Sequence, residues 1–193
     1  VRIGYADPPY PGQAKKHYGD HPDYAGEVNH EHLLWQLQND GYDGWVLHTS
    51  SVALPFVLGE ANALGITDYR IVAWVKPFAA FKRNVPVAYA WEPVLVKSAR
   101  TPVVTHEVVM RDWIAESITM KRGLAGAKPA NVCKWLFHVL GAFPDDELVD
   151  LFPGTGAVTA AWDEWRGNPR IEPDSLFAAV GSTRTHTTGE REE

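Results

Sequence analysis

Four consecutive residues near the start of the chain, Asp7-Pro8-Pro9-Tyr10, combine an acid, a rigid elbow and an aromatic ring. Each proline fixes its own φ and restricts the residue before it to extended geometry. The step is therefore non-helical, and it points the Asp7 carboxylate and the Tyr10 ring in set directions. A carboxylate with backbone carbonyls beside it can accept both hydrogens of an exocyclic amine, while the ring stacks on the heterocycle that carries the amine. The same residues also make a strand-ending turn with a solvated acid and a packed tyrosine. Alone, they do not separate the two readings.

A second constellation is Asp150-Leu151-Phe152-Pro153-Gly154-Thr155-Gly156. Glycines between a strand and a helix let backbone approach a ligand closely, and the helix start offers N–H groups. Thr159 stands where the dinucleotide fingerprint Gly-x-Gly-x-x-Gly requires glycine, which speaks against a nicotinamide-dependent dehydrogenase.

Apolar runs must position both groups. Arg2-Ile3-Gly4-Tyr5-Ala6 reads as a strand ending at Asp7, and 147–152 as a strand entering the glycine loop. Residues 11–28 lack any period and read as a long loop. Asn29 caps a helix through Leu33, Leu34 and Leu37 that stops at Asp40-Gly41. A strand at 44–49 follows, then a helix capped by Ser50 or Ser51 and running through Leu64, with Pro55 in its first turn. Residues 69–75 form a third strand, 79–85 a basic loop, and 87–97 one or two strands broken at Glu92-Pro93. A short helix is expected over 108–120, another from Pro129 to Leu140, and a last one from the glycine loop through Trp165. Strands alternating with helices predict an α/β fold, a Rossmann-like sheet with helices on both faces. Ligands of such sheets sit at the carboxyl ends of the strands. Residues 1–178 are expected to form one domain, with 99–127 a short insert and 179–193 a disordered polar tail.

The 193 residues suit one domain with a proper core, and 45% hydrophobic with 22% charged residues is ordinary for a globular protein. No apolar run is long enough for a membrane span, and the start lacks the pattern of a signal peptide. The chain begins at Val1 rather than Met, which leaves open whether residues precede it. The single Cys133 excludes an internal disulfide, suits a reducing cytoplasm and is expected in the core. The net charge is −6, but residues 70–134 carry 11 Lys and Arg against 4 Asp and Glu, while the rest carries 7 against 20. A basic middle can draw a polyanion to one face.

Taken together, the two loops resemble those of the S-adenosylmethionine (SAM)-dependent amino-methyltransferases of DNA. Their order, tetrapeptide first and glycine loop last, resembles the circularly permuted β-type group; phage-type DNA adenine methylases are the nearest likeness. Lys128-Pro129 matches the Lys-Pro that precedes the cofactor loop in that group, although Gly126-Ala127 replaces the usual residues before it. Residues 71–76 and 92–95 resemble its central strands, and the likeness covers about residues 1–172. It implies a methyltransferase fold, SAM as cofactor and transfer to the N6 amine of adenine in DNA with base flipping, in a restriction-modification or phage setting. Asp7, Pro8, Pro9 and Tyr10 would be catalytic. Asp150, Phe152, Gly154, Gly156, Lys128, Pro129 and Glu172 would bind the cofactor. Cytosine-N4, RNA or a protein amide as acceptor, or an inactive nucleic-acid-binding subunit, are the alternatives. The expected partner is DNA, duplex or single-stranded, bound by a monomer or homodimer in the cytoplasm of a bacterium or phage-infected host.

Lys15, Lys16, Lys82, Arg83, Lys121 and Arg122 are the candidate phosphate contacts. No metal is expected: His17, His21, His30 and His32 match no familiar ligand spacing and read as surface residues. Trp35, Trp45, Trp74, Trp91 and Trp135 read as core, with Trp91 able to edge a cleft.

Overall fold

The computed structural model describes residues 1–12, 26–78, 85–101, 110–119 and 127–169. Among them are β1 (Arg2–Ala6), β2 (Gly44–His48), β3 (Arg70–Val75), β4 (Trp91–Lys97), β5 (Trp113–Ala115) and β6 (Glu147–Asp150). They form one sheet in the order β5-β3-β4-β2-β1-β6. The pairings β1–β2, β1–β6 and β3–β5 are parallel, and β4 runs antiparallel to both its neighbours. The helices are α1 (His30–Asn39), α2 (Leu54–Ala63), α3 (Ala130–Val139) and α4 (Ala157–Gly167).

Strands covered on both faces need apolar residues at successive positions, and all of Gly44–His48 is buried accordingly. Alternation then divides the core. Ile3, Tyr5, Val46, Val94 and Val96 pack with α3 and α4, whereas Ala6, Trp45, Leu47 and Leu95 pack with α1 and α2. The α/β sheet with helices on both faces is therefore as the sequence implies. No helix among the described residues is long and apolar enough to cross a membrane.

Several elements differ from expectation. Val87–Lys97 holds one uninterrupted strand, starting at Trp91; Pro93 is accommodated within it opposite Ala73. The helix expected over 108–120 is replaced, where described, by β5. The backbone of β3 recruits this segment: Ala73 N donates to Asp112 O at 2.9 Å, and Glu116 N to Val75 O at 3.0 Å. Neither Ser50 nor Ser51 caps α2; its cap is Ala53, whose N–H donates to Ser50 Oγ at 3.1 Å. Trp35 is 46% exposed because the buried stripe of α1 runs through His30, Leu33, Leu34 and Leu37. His30 is accordingly buried, edge-on to Phe56, rather than at the surface.

Candidate active site

The Asp7 elbow and the glycine loop leave the same edge of the sheet on neighbouring strands. Tyr5 pairs with Asp150, and Leu151 N donates to Tyr5 O at 2.9 Å. In the loop, Gly154 (φ 43°) and Gly156 (φ 74°) adopt left-handed backbone, which costs other residues about 1–2 kcal/mol. Gly156 starts α4 with no side-chain cap, so the helix presents its N–H groups outward. The Asp150 carboxylate accepts from Phe152 N at 3.2 Å and from Thr159 Oγ1 at 3.4 Å. Burial raises its pKa, these two donors oppose that, and the Asp7 charge adds to the rise. The two loops therefore sense each other electrostatically.

Behind Asp7 lies a charge cluster built from four elements. The Lys128 ammonium, just before α3, is 3.0 Å from Asp7 Oδ1 and 2.6 Å from Glu92 Oε1. Glu92 projects from β4 and is only 3% exposed. Its carboxylate also accepts from His48 Nδ1 at 2.8 Å and from Lys76 Nζ at 3.0 Å. Burial alone would raise the Glu92 pKa, but Lys128, the His48 hydrogen bond and Lys76 outweigh it and hold the carboxyl well below its ordinary range. Burial likewise disfavours the Lys128 ammonium, yet Asp7, Tyr10 and Glu92 push its pKa well up. Trp74 lies beneath both ammoniums, with its ring centroid 4.4 Å from Lys76 Nζ and 5.4 Å from Lys128 Nζ. Burial also raises the Tyr10 hydroxyl; Lys128 opposes this, and Glu92 and Asp7 reinforce it.

The cluster continues inward. Tyr5 Oη is 2.8 Å from His48 Nε2 and 3.8 Å from Cys133 Sγ. Placing the His48 proton on Nδ1 satisfies the whole chain: Nδ1–H donates to Glu92 and Nε2 accepts from the Tyr5 hydroxyl. Burial pushes the Cys133 thiol up to about 12, so it stays protonated in the core. Asp7, His48 and Glu92 each bring a ligand-type atom within 4.8 Å of the others. The ammonium of Lys128 already serves as the cation between the two carboxylates.

Pro129 caps α3 next to Lys128. Glu172 and the six candidate phosphate contacts, Lys15, Lys16, Lys82, Arg83, Lys121 and Arg122, lie outside the described residues, as do His17, His21 and the 179–193 tail. Trp91 is 42% exposed and, by strand alternation, faces away from Glu92. Tyr5, His48, Lys76 and Glu92 were not singled out from the sequence as site residues. The available signal was polar residues set in or just after apolar strands, in Trp45-Val46-Leu47-His48, Trp74-Val75-Lys76 and Trp91-Glu92-Pro93-Val94.

No protein-family model matches the sequence, and no curated protein matches it significantly. Among solved structures, the chain is similar to M1.HpyAVI at 18% identity and TM-score 0.54, over 86% of this chain and 76% of that one. It is also similar to the M1.HpyAVI-SAM complex at 16% identity and TM-score 0.51, over 86% and 77%. At these identities the likeness establishes a shared fold.

Proposed function

We propose that this protein transfers the methyl group of SAM to the exocyclic N6 amine of adenine in DNA. The observation that carries this reading is the placement of Asp7-Pro8-Pro9-Tyr10 beside the glycine loop, on adjacent strands of a fold shared with a SAM-bound protein. The loop residues suit such a ligand. Left-handed glycines let backbone come close, and α4 starts with N–H groups uncapped. Phe152 is only partly buried against the α1–α2 core, which leaves apolar surface for a ligand. Asp150, Lys128, Pro129 and Glu172 complete the set assigned to the cofactor.

Bound SAM supplies an electrophilic methyl on a positively charged sulfur. The protein supplies the acceptor geometry. A target adenine turned out of the duplex stacks on Tyr10, a contact worth roughly 1–3 kcal/mol. Its amine donates one hydrogen to the Asp7 carboxylate and the other to the Pro8 carbonyl. These two bonds draw the nitrogen lone pair out of conjugation with the ring and aim it at the methyl carbon. With SAM held by the glycine loop, the amine nitrogen would bond to the methyl as the C–S bond breaks and the sulfur leaves as a neutral thioether. The amine proton hydrogen-bonded to Asp7 would pass to that carboxylate and on to water. Catalysis is then mainly positioning and fixed electrostatics.

The test is transfer of labelled methyl to DNA, read by nucleoside after digestion, with Asp7→Ala in parallel. Label is expected in adenine. The variant is expected to lose about 10²-fold or more in rate while calorimetric SAM affinity stays within a few-fold of wild type. Label in cytosine or in RNA would change the acceptor. Joint loss of transfer and SAM binding in Asp7→Ala would make Asp7 a structural residue and overturn its assigned role.

A further inference from the structure

We propose that Lys128 and Glu92 are positioning residues for the Asp7 carboxylate, an inference that rests on the methyltransferase reading of Asp7. The reaction needs that carboxylate fixed to a fraction of an ångström, because one of its oxygens must meet an amine hydrogen while the lone pair points at the methyl. Asp7 follows the last residue of β1, where the regular strand has ended. What anchors its side chain is the Lys128 ammonium at 3.0 Å.

A lysine is a poor anchor unless its own long side chain is immobilised. Here Glu92 does that, with a 2.6 Å contact from Oε1 to Lys128 Nζ. Glu92 is in turn fixed at both oxygens, His48 sharing Oε1 and Lys76 holding Oε2. His48 is locked by the Tyr5 hydroxyl behind it. Tyr5, His48 and Glu92 sit on β1, β2 and β4, so the support is built into the sheet rather than into loops.

Stability alone is a weak reason for this arrangement. Buried ion pairs are often replaceable by well-packed apolar residues at no cost in stability. An acid under two lysines, one of which bridges it to Asp7, instead fits a device for aiming that carboxylate. Lys128 thereby gains a role toward Asp7 in addition to its place among the residues assigned to SAM.

The experiment compares wild type with Glu92→Gln, Lys128→Met and Lys128→Arg in steady-state transfer, SAM calorimetry and thermal unfolding. Glu92→Gln is expected to lower kcat about 10- to 100-fold, with Kd for SAM within about threefold of wild type. Lys128→Met, which also removes a group assigned to SAM, is expected to lower kcat at saturating SAM by a similar factor whatever its effect on SAM affinity. Lys128→Arg is expected to recover part of the loss, since it restores a cation beside Asp7. A purely structural role would lower the melting temperature and leave kcat unchanged below it. That result, or equal losses in kcat and SAM affinity in Glu92→Gln, would overturn the inference. Should Glu92→Gln fail to fold, kcat of the two Lys128 variants at saturating SAM carries the comparison, and an unchanged kcat in Lys128→Met overturns it. If wild type transfers methyl to no nucleic acid, the methyltransferase reading fails instead. The positioning claim is then decided by crystal structures of wild type and whichever of Glu92→Gln or Lys128→Met folds. A displaced Asp7 carboxylate upholds it, and one that keeps its wild-type orientation overturns it.

Discussion

A carboxyl group buried as deeply as Glu92 would ordinarily hold its proton, since burial disfavours charge. It stays ionised because Lys128, His48 and Lys76 converge on it, and the Lys128 ammonium survives burial by the same reciprocity. Asp146 offers a cleaner measurement of such a pairing at residue scale. Arg100 binds it with two bonds of 2.6 and 2.7 Å, and Phe143 N donates to it at 2.8 Å. Burial opposes ionisation, but these donors prevail and lower its pKa to about 2. A depressed carboxylate contributes stability above its unfolded value of about 3.9 and loses it as pH falls through the folded one. Asp146→Asn should therefore cost about 2 kcal/mol at pH 7. In urea titrations the gap to wild type should close between roughly pH 4 and pH 2; a pH-independent gap would assign the cost to packing. At this scale the sequence was legible where residues break local rules, as the Asp7 prolines and the 154–156 glycines do. The Glu92 cluster was not, because its members come one apiece from segments far apart in the chain, and only the sheet order brings them together.

Among the elements, the strands that carry the elbow and the glycine loop announced themselves as apolar runs that stop at polar punctuation. The strand β5 did not. Three residues are too few to display alternation, and Trp113-Ile114 suits either a helix or a sheet edge until β3 offers a partner. Ile114 is nonetheless buried in the α3–α4 core, so Ile114→Ala is expected to cost about 2–4 kcal/mol in urea denaturation. A cost under about 1 kcal/mol would mean that β5 contributes little to the fold. Two glycines make a second test. A Cβ at Gly44 would lie 2.4 Å from Ala99 N, whereas one at Gly156 would meet nothing within 4 Å. Gly44→Ala must therefore shift backbone and should cost about 3 kcal/mol or more. Gly156→Ala bears only its left-handed φ, about 1–2 kcal/mol. Equal losses would contradict the crowding at the start of β2.

At the scale of the whole molecule, an acidic chain with a basic middle must still meet a polyanion if DNA is its substrate. Within 70–134, several described cations are already engaged. Lys97 pairs with Asp68 at 3.0 Å, Lys134 with Glu164 at 2.7 Å and Arg100 with Asp146, while Lys76 and Lys128 serve Glu92. That moves the phosphate-binding role toward Lys82, Arg83, Lys121 and Arg122, and toward Lys15 and Lys16 outside the basic segment. Each phosphate contact on duplex DNA contributes about −0.9 to the slope of log K against log salt, and about −0.7 on single strands. Six such contacts predict a duplex slope of about −5.4, and Lys82→Ala combined with Arg83→Ala should reduce it to about −3.6. Because the substitution removes phosphate contacts and leaves the Asp7 cluster untouched, kcat at saturating DNA should hold while KM for DNA rises. An unchanged slope would move the phosphate track to Lys121, Arg122 and the 11–28 loop. A slope near zero in wild type would remove DNA as the acceptor, whatever the fold.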